Sequence, residues 1–252
     1  MPADPDYVLS LARGLQVIEA FNDNPKGRTV SEIAADTGLS RAAVRRLLIT
    51  LEQLGYTEHE GATHRLTSRI LRLGFSFLSS ATLPGLATPL LERLSARIQE
   101  SCSVSVLDGQ QIVYIARSAS TRVMAVDLAV GSRLPAYCTS MGRVLLTGLP
   151  LEDLTAWIKE STLKRLTPKT VIKRAELLTA INDARTRGYA LVDEELEIGL
   201  RSLAVPVRSE SGKIVAAMNT GVQAGRIPAS ELRNRILPEL KHHAELLGRM
   251  LP

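Results

Sequence analysis

TVSEIAADTGLSRAAVRRLLITLEQLGY, residues 29–56, holds two short helical patterns separated by one glycine, Gly38. Apolar positions three and four apart predict a helix over Ser31–Thr37 and a second from Arg41 to Leu54, capped by Ser40 and stopped by Gly55. A corner this tight needs a residue that accepts a left-handed backbone, which Gly38 does. Small Ala34 lets the helices approach, and Leu39 and Val44 plug the joint. Val44, Leu47, Leu48, Leu51 and Leu54 then make the buried face of the second helix of this pair. With that face turned inward, Arg41, Ala42, Arg45 and Arg46 point outward or along the rim. Small Ala42 and Ala43 allow close approach to a groove, and the arginines reach guanine edges or phosphates.

Around this pair lies a compact amino-terminal head. SLARGLQVIEAFN carries Leu11, Leu15, Val17 and Ile18 in a helical stripe ending at Phe21, before the turn-forming NDNPKG. YTEHEGATHRL reads as two brief extended pieces about Glu60-Gly61, a small wing, with His59 and His64 flanking the turn. The head is close to neutral, yet Arg41, Arg45, Arg46, Arg65, Arg69 and Arg72 cluster on the second helix, the wing and the segment just beyond it. Charge gathered on one face is the footprint of a polyanion site. The bland reading is a three-helix corner with a solvated basic face; the placement of charge favours DNA.

The whole chain has 252 residues, a net charge of +5 and 45% apolar residues, the balance of a folded globular protein. No run approaches the roughly 20 apolar residues that span a bilayer, and MPADPDYVLSLARG lacks the basic leader of a secretory signal. Cys102 and Cys138 lack metal or CxxC spacing and read as two reduced thiols of a cytosolic protein.

After residue 66 the character changes. SRILRLGFSFLSS is apolar and helical, TLPG breaks it, and LATPLLERLSARIQE resumes the helical stripe; a helix-mediated dimer contact is expected here. From Ser101 the period becomes two. CSVSVLD and QIVYIARS form a hairpin about Gly109-Gln110, and RVMAVDLAVGSRL continues extended. TSMGRVLLTGL, LEDLTAWIKE and KRAELLTAINDARTRG are helical. YALVDEE, RSLAVPV and KIVAAMNTG are strands, and a last helical region is interrupted at Pro238. The fold class is α+β: a helical head, a helical link and a mixed α/β body with a largely antiparallel sheet.

SLARGLQVIEAF, the helix pair, LTSRILRLGFSFLSS, SVSVLDGQQIVYIAR, VGSRLPAYCTSMGRVLL, GYALVDEELEIGLRSLAVPV and IVAAMNTG follow one another in the order of a known family. The chain resembles IclR-type bacterial transcriptional regulators over nearly its whole length. SLARGLQVIEAF and LPAYCTSMGRVLL are similar to the subgroup controlling the β-ketoadipate pathway and related aromatic-acid catabolism. The resemblance implies a winged helix-turn-helix DNA-binding domain over 1–66, a helical linker over 67–82 and an effector-binding domain of GAF-like topology over 83–252. It implies a double-stranded DNA partner with an approximately palindromic operator, read by Ser40, Arg41, Ala42, Ala43, Arg45, Arg46, His64 and Arg65. It further implies a homodimer or homotetramer, no cofactor, no metal and no membrane partner.

The effector is expected to be a small carboxylic acid, aromatic or derived by ring cleavage. TSMGRVLL has a physical reason to hold an anion: Thr139 to Gly142 present backbone N–H groups at a helix start. The alternative is that Thr139 or Ser140 simply caps the helix. By resemblance Ser140, Met141, Asp193, Ser202, Asn219 and Gly221 line the pocket, although some relatives carry small or hydroxylated residues where this chain has Met141 and Asn219. Arg201 and Arg133 offer a bidentate partner for a carboxylate, or pair with an acid of Asp193–Glu197. Two other functions stay open at this point. One is an enzyme using Cys138 in redox or acyl chemistry, for which no general base is visible nearby in the sequence. The other is a protein-binding module docked through the winged helix.

Overall fold

A computed structural model describes residues 6–21, 27–73, 82–118 and 128–251. The turn read in NDNPKG falls mostly outside them, as do the end of SRILRLGFSFLSS and the extended stretch RVMAVD. The chain divides into two compact units, Met1–Ser80 and Ala81–Pro252.

In the amino-terminal unit, α1 (Leu9–Glu19), α2 (Val30–Thr37) and α3 (Arg41–Gln53) enclose a core of Val17, Phe21, Ile33, Val44, Leu48 and Leu51. α2 starts one residue earlier than expected because Thr29 and Glu32 form a capping box. The Thr29 N–H donates to Glu32 Oε2 at 2.7 Å, and the Glu32 N–H to Thr29 Oγ1 at 3.3 Å. α3 ends in a Schellman turn: the Tyr56 N–H donates to Leu51 O and the Gly55 N–H to Glu52 O, with Gly55 at φ 76°. The wing, β2 (Thr57–Glu60) and β3 (Thr63–Leu66), gains a third strand that the sequence did not announce, β1 (Arg28–Thr29), paired with β3.

One expected core position is corrected: Leu54 is 51% exposed, and Leu11 and Leu15 of the first helical stripe are exposed too, at 63% and 48%. α1 buries the neighbouring edge through Val17, with Phe21 just beyond its end, so its leucines line an open groove with Leu47 and Leu51 of α3 and Leu54 at its cap. A head this small fills only one side of α1.

In the carboxy-terminal unit, TLPG is itself helical, forming the first turn of α4 (Thr82–Ile98). Pro84 lies in its first turn, where the missing N–H would have had no partner. Six strands follow, β4 (Ser101–Asp108), β5 (Gln111–Ser118), β6 (Arg133–Pro135), β7 (Ala190–Asp193), β8 (Leu200–Arg208) and β9 (Ile214–Gln223). They form one antiparallel sheet in the order β6-β5-β4-β9-β8-β7. α4 and the last helix, α8 (Leu237–Arg249), cover one face. α5 (Ser140–Leu146), α6 (Leu151–Glu160) and α7 (Arg174–Arg187) cover the other. Pro238 stands in the first turn of α8, after a short π-helical piece, Leu232–Ile236, so the helical region restarts there as expected.

Period-two alternation assigns the two faces. In β4, Cys102 and Val104 enter the core under α4 and α8, while Ser101, Ser103 and Ser105 face the α5 side. β9 repeats this with Met218 and Val222 on one side, and Ala217, Asn219 and Gly221 on the other.

Candidate nucleic-acid interface and ligand cavity

The corner between α2 and α3 is held by local chemistry. Gly38 sits at φ 70°, the Thr37 hydroxyl donates to Ile33 O at 2.7 Å, and Gln16 Nε2 on α1 donates to Thr37 O at 3.0 Å. Ser40 caps α3 by accepting from the Ala43 N–H at 3.2 Å. With Val44, Leu48 and Leu51 buried, Ser40, Arg41, Ala42, Arg45 and Arg46 are exposed and Ala43 is half-buried. Arg41 and Arg45, one turn apart, share a side. Arg46 turns toward the groove between α1 and α3. None of the three forms an ion pair among the described residues.

On the wing, Arg65 is exposed, with Glu60 3.6 Å away. His64 points the other way, as strand alternation requires. Its Nδ1 is buried with no hydrogen-bond partner among the described residues. Burial holds its pKa below the usual histidine value, helped by neighbouring His59. His64 is therefore neutral at neutral pH, and the wing's cation is Arg65. His59 pairs instead with Glu52 at the end of α3, 2.7 Å away.

In the carboxy-terminal unit a cavity opens between the sheet and the start of α5. Ser140, Met141, Ser202, Asn219 and Gly221 line it, with Ser101, Ser103, Tyr114, Arg117, Leu128, Leu134, Cys138, Thr139, Leu196 and Leu200. Its floor is built by a close approach. Gly142 leaves no room for a Cβ, which would overlap the Ala136 backbone carbonyl. Thr139 caps α5 by accepting from the Gly142 N–H at 3.2 Å, so that donor already has a partner. Met141 is anchored by the Ser105 hydroxyl, 3.1 Å from its sulfur. Behind the floor, buried Arg143 donates to Glu195 Oε2 at 2.6 Å and to Tyr137 O at 3.2 Å.

Asp193 and Arg201 are not in the described lining. They face each other across β7 and β8 in a bidentate pair of 2.9 and 3.0 Å, and Arg201 also donates to Ala224 O and Ile227 O. Arg133 is held by Asp108 and by Gln111 Oε1 at 2.9 Å. Three of the DEELE acids are structural: Asp193 pairs with Arg201, Glu194 with Lys169 and Glu195 with Arg143. Among the described residues no cluster of three or more His, Cys, Asp or Glu is placed to hold a metal. Both cysteines are free and buried. Burial pushes the Cys138 thiol up to about 12, which leaves it protonated at neutral pH.

The cation in the lining is Arg117, a residue the sequence reading passed over. β5 carries a bulge against β4: Val104 pairs with Ala116 and Ser105 with Tyr114, leaving Ile115 as the extra residue. Strict alternation from Tyr114 would send Arg117 to the opposite face. The bulge returns it to the cavity side, opposite Ser103, whose hydroxyl it reaches at 3.2 Å. A lone arginine closing the apolar strand VYIAR was the signal available.

Residues 10–61 match the IclR helix-turn-helix domain, and residues 75–249 match the bacterial transcriptional regulator IclR carboxy-terminal domain. The chain belongs to the IclR family. Within the family it is 45% identical over 238 residues to the Pca regulon regulatory protein of Pseudomonas putida, covering 94% of this chain and 82% of that one. A putative transcriptional regulator from Rhodococcus sp. RHA1, of known crystal structure, is 47% identical, with TM-score 0.80 over 96% of this chain and 97% of that one. The inducer-binding domain of the Acinetobacter transcription factor PobR, a double mutant crystallised with 3-hydroxybenzoic acid, is 36% identical. It superposes with TM-score 0.65 over 68% of this chain and all of that domain. Among the described residues no helix is long and apolar enough to cross a membrane.

Proposed function

We propose that this IclR-family protein is a ligand-responsive regulator of aromatic-acid catabolic genes, of the β-ketoadipate type, working in the cytoplasm as a homodimer or homotetramer. α3 enters the major groove of an approximately palindromic operator. Arg41 and Arg45 face base edges or phosphates, and Ser40, Ala42 and Ala43 allow close approach. Arg46, His64 and Arg65 complete the surface at the rim and wing, with His64 as a neutral contact. The observation that carries this reading is the pair of exposed arginines without acid partners among the described residues, Arg41 and Arg45, opposite the buried Val44–Leu48–Leu51 face.

The effector is a small carboxylic acid bound in the carboxy-terminal cavity by Ser140, Met141, Ser202, Asn219 and Gly221. Asp193 and Arg201 support it as the braced end of β7 and β8. The ligand of the PobR domain, an aromatic acid, supports this class. The cavity measures about 40 Å³. At roughly 10–15 Å³ per water it has room for about three. A ring enters only if the walls part, with unbranched Met141 the most adaptable of them. The acid then favours one arrangement of the unit over another, which is what a shift in DNA affinity requires. The unit has a GAF-like topology, with domains at 1–66 and 83–252 and a mechanical link at 67–82.

The test is DNA binding by the full chain on genomic fragments, with and without aromatic acids. An acid-dependent change in affinity supports the proposal. Ser140→Trp should abolish that change while leaving ligand-free binding intact. A full response in this variant would move the effector elsewhere.

A further inference from the structure

One row across the sheet carries more chemistry than its neighbours. Arg117 on β5 pairs with Ser103 on β4, and Ser103 pairs with Asn219 on β9. All three line the cavity, and Tyr114 lies beside them. Arg117 is half-buried and spends one of its five N–H donors, on Ser103. No acid pairs with it among the described residues, whereas Arg133, Arg143 and Arg201 each hold a carboxylate. Asn219 is 8% exposed and Tyr114 4% exposed, and both turn polar groups to the cavity lining.

We infer that Arg117 anchors one carboxylate of the effector, and that the cavity selects a monocarboxylic acid with a neutral hydrogen-bonding group at its far end over a dicarboxylic acid. The inference rests on the effector reading above and assigns that site its ligand chemistry. A guanidinium with free donors in a largely apolar space is the natural partner of a carboxylate, through two parallel hydrogen bonds. Two strand spacings separate Arg117 from Asn219, about 10 Å. That span suits a single ring with its carboxylate at Arg117 and a hydroxyl or carbonyl at Asn219. A second carboxylate would reach the Asn219 end, among Leu196, Leu200 and Met141, without a counter-charge among the described residues.

The experiment is calorimetric titration of the full chain with three probes: 4-hydroxybenzoate, its neutral isostere 4-hydroxybenzamide, and adipate. The wild type should bind the acid roughly 10–100-fold tighter than the amide, the range of lost charge-assisted hydrogen bonds, and should bind adipate weakest. Arg117→Gln, which can keep a hydrogen bond to Ser103, should bring acid and amide to similar affinity. The acid–amide comparison on the unaltered protein keeps the test valid if the variant fails to fold. Equal binding of acid and amide by the wild type, equal acid binding by Arg117→Gln, or tighter binding of adipate overturns the assignment and leaves the effector site standing. A wild type that binds none of the three probes overturns the effector reading as well.

Discussion

Replacing Glu195 by alanine removes the counter-charge of a buried cation. The Arg143 and Glu195 side chains are only 6% and 9% exposed. The Glu195 carboxylate accepts from Arg143 at 2.6 Å and from the Val171 N–H at 3.1 Å. Its loss strands a guanidinium and an amide N–H away from water. Breaking a buried pair from one side costs about 3–5 kcal/mol, and the stranded amide belongs within that figure rather than on top of it. For a unit the size of Ala81–Pro252, each kcal/mol lowers Tm by roughly 2–4 °C, so the expected drop is about 10 °C. The chain has one tryptophan, Trp157, which donates to Gly109 O at 2.8 Å within this unit. Its fluorescence therefore reports the carboxy-terminal unit alone. A loss below about 1 kcal/mol would show that the pair is solvated and that the reasoning fails. The double replacement Arg143→Met with Glu195→Leu tests the mechanism separately. With neither charge buried it should recover more than half of the loss.

Ser40→Ala removes the cap of α3 and should cost about 1 kcal/mol, read as faster amide exchange along Arg41–Gln53. Gly142→Ala drives a Cβ into the Ala136 carbonyl and should prevent the native Trp157 signal. Gly14→Ala, on open helix surface, should be neutral or slightly stabilising. Hydrogen bonds from the Thr29 backbone, then from its hydroxyl, hold the Glu32 carboxyl below its ordinary 4.5. The stability it contributes is thus complete above about pH 4.5 and is lost as pH falls through the lowered folded value. Acid titration of α2 by amide exchange should show that loss, and Glu32→Gln should flatten it.

Much of this fold is legible in the sequence because local rules and burial agree. Gly38, Ser40 and the Val44–Leu48–Leu51 spacing each specify the corner independently. SCSVSV spells out a strand with a hydroxyl side and a core side. The failures have particular causes. TLPG looked like a break because proline usually ends a helix, but its place in a first turn depends on where the helix starts. Leu11, Leu15 and Leu54 obeyed the helical period, which says that a stripe exists and not how much of it the core covers. β1 is two residues long and owes its existence to the wing beside it. Arg117 was hidden by a bulge, since one inserted residue reverses every later assignment of faces along the strand. Arg201 was legible as far as its choice between a ligand and an acid of Asp193–Glu197; cross-strand register then selects Asp193.

The arginine side of α3 is tested most directly by anisotropy titrations of the full chain on its best genomic fragment, from roughly 50 to 200 mM salt. Arg41→Ala and Arg45→Ala should each weaken binding by about 1–3 kcal/mol with relaxed base preference, or uniformly across sequences with a shallower salt slope if the contact is to phosphate. A double variant that keeps wild-type affinity, selectivity and salt slope would contradict recognition through this helix.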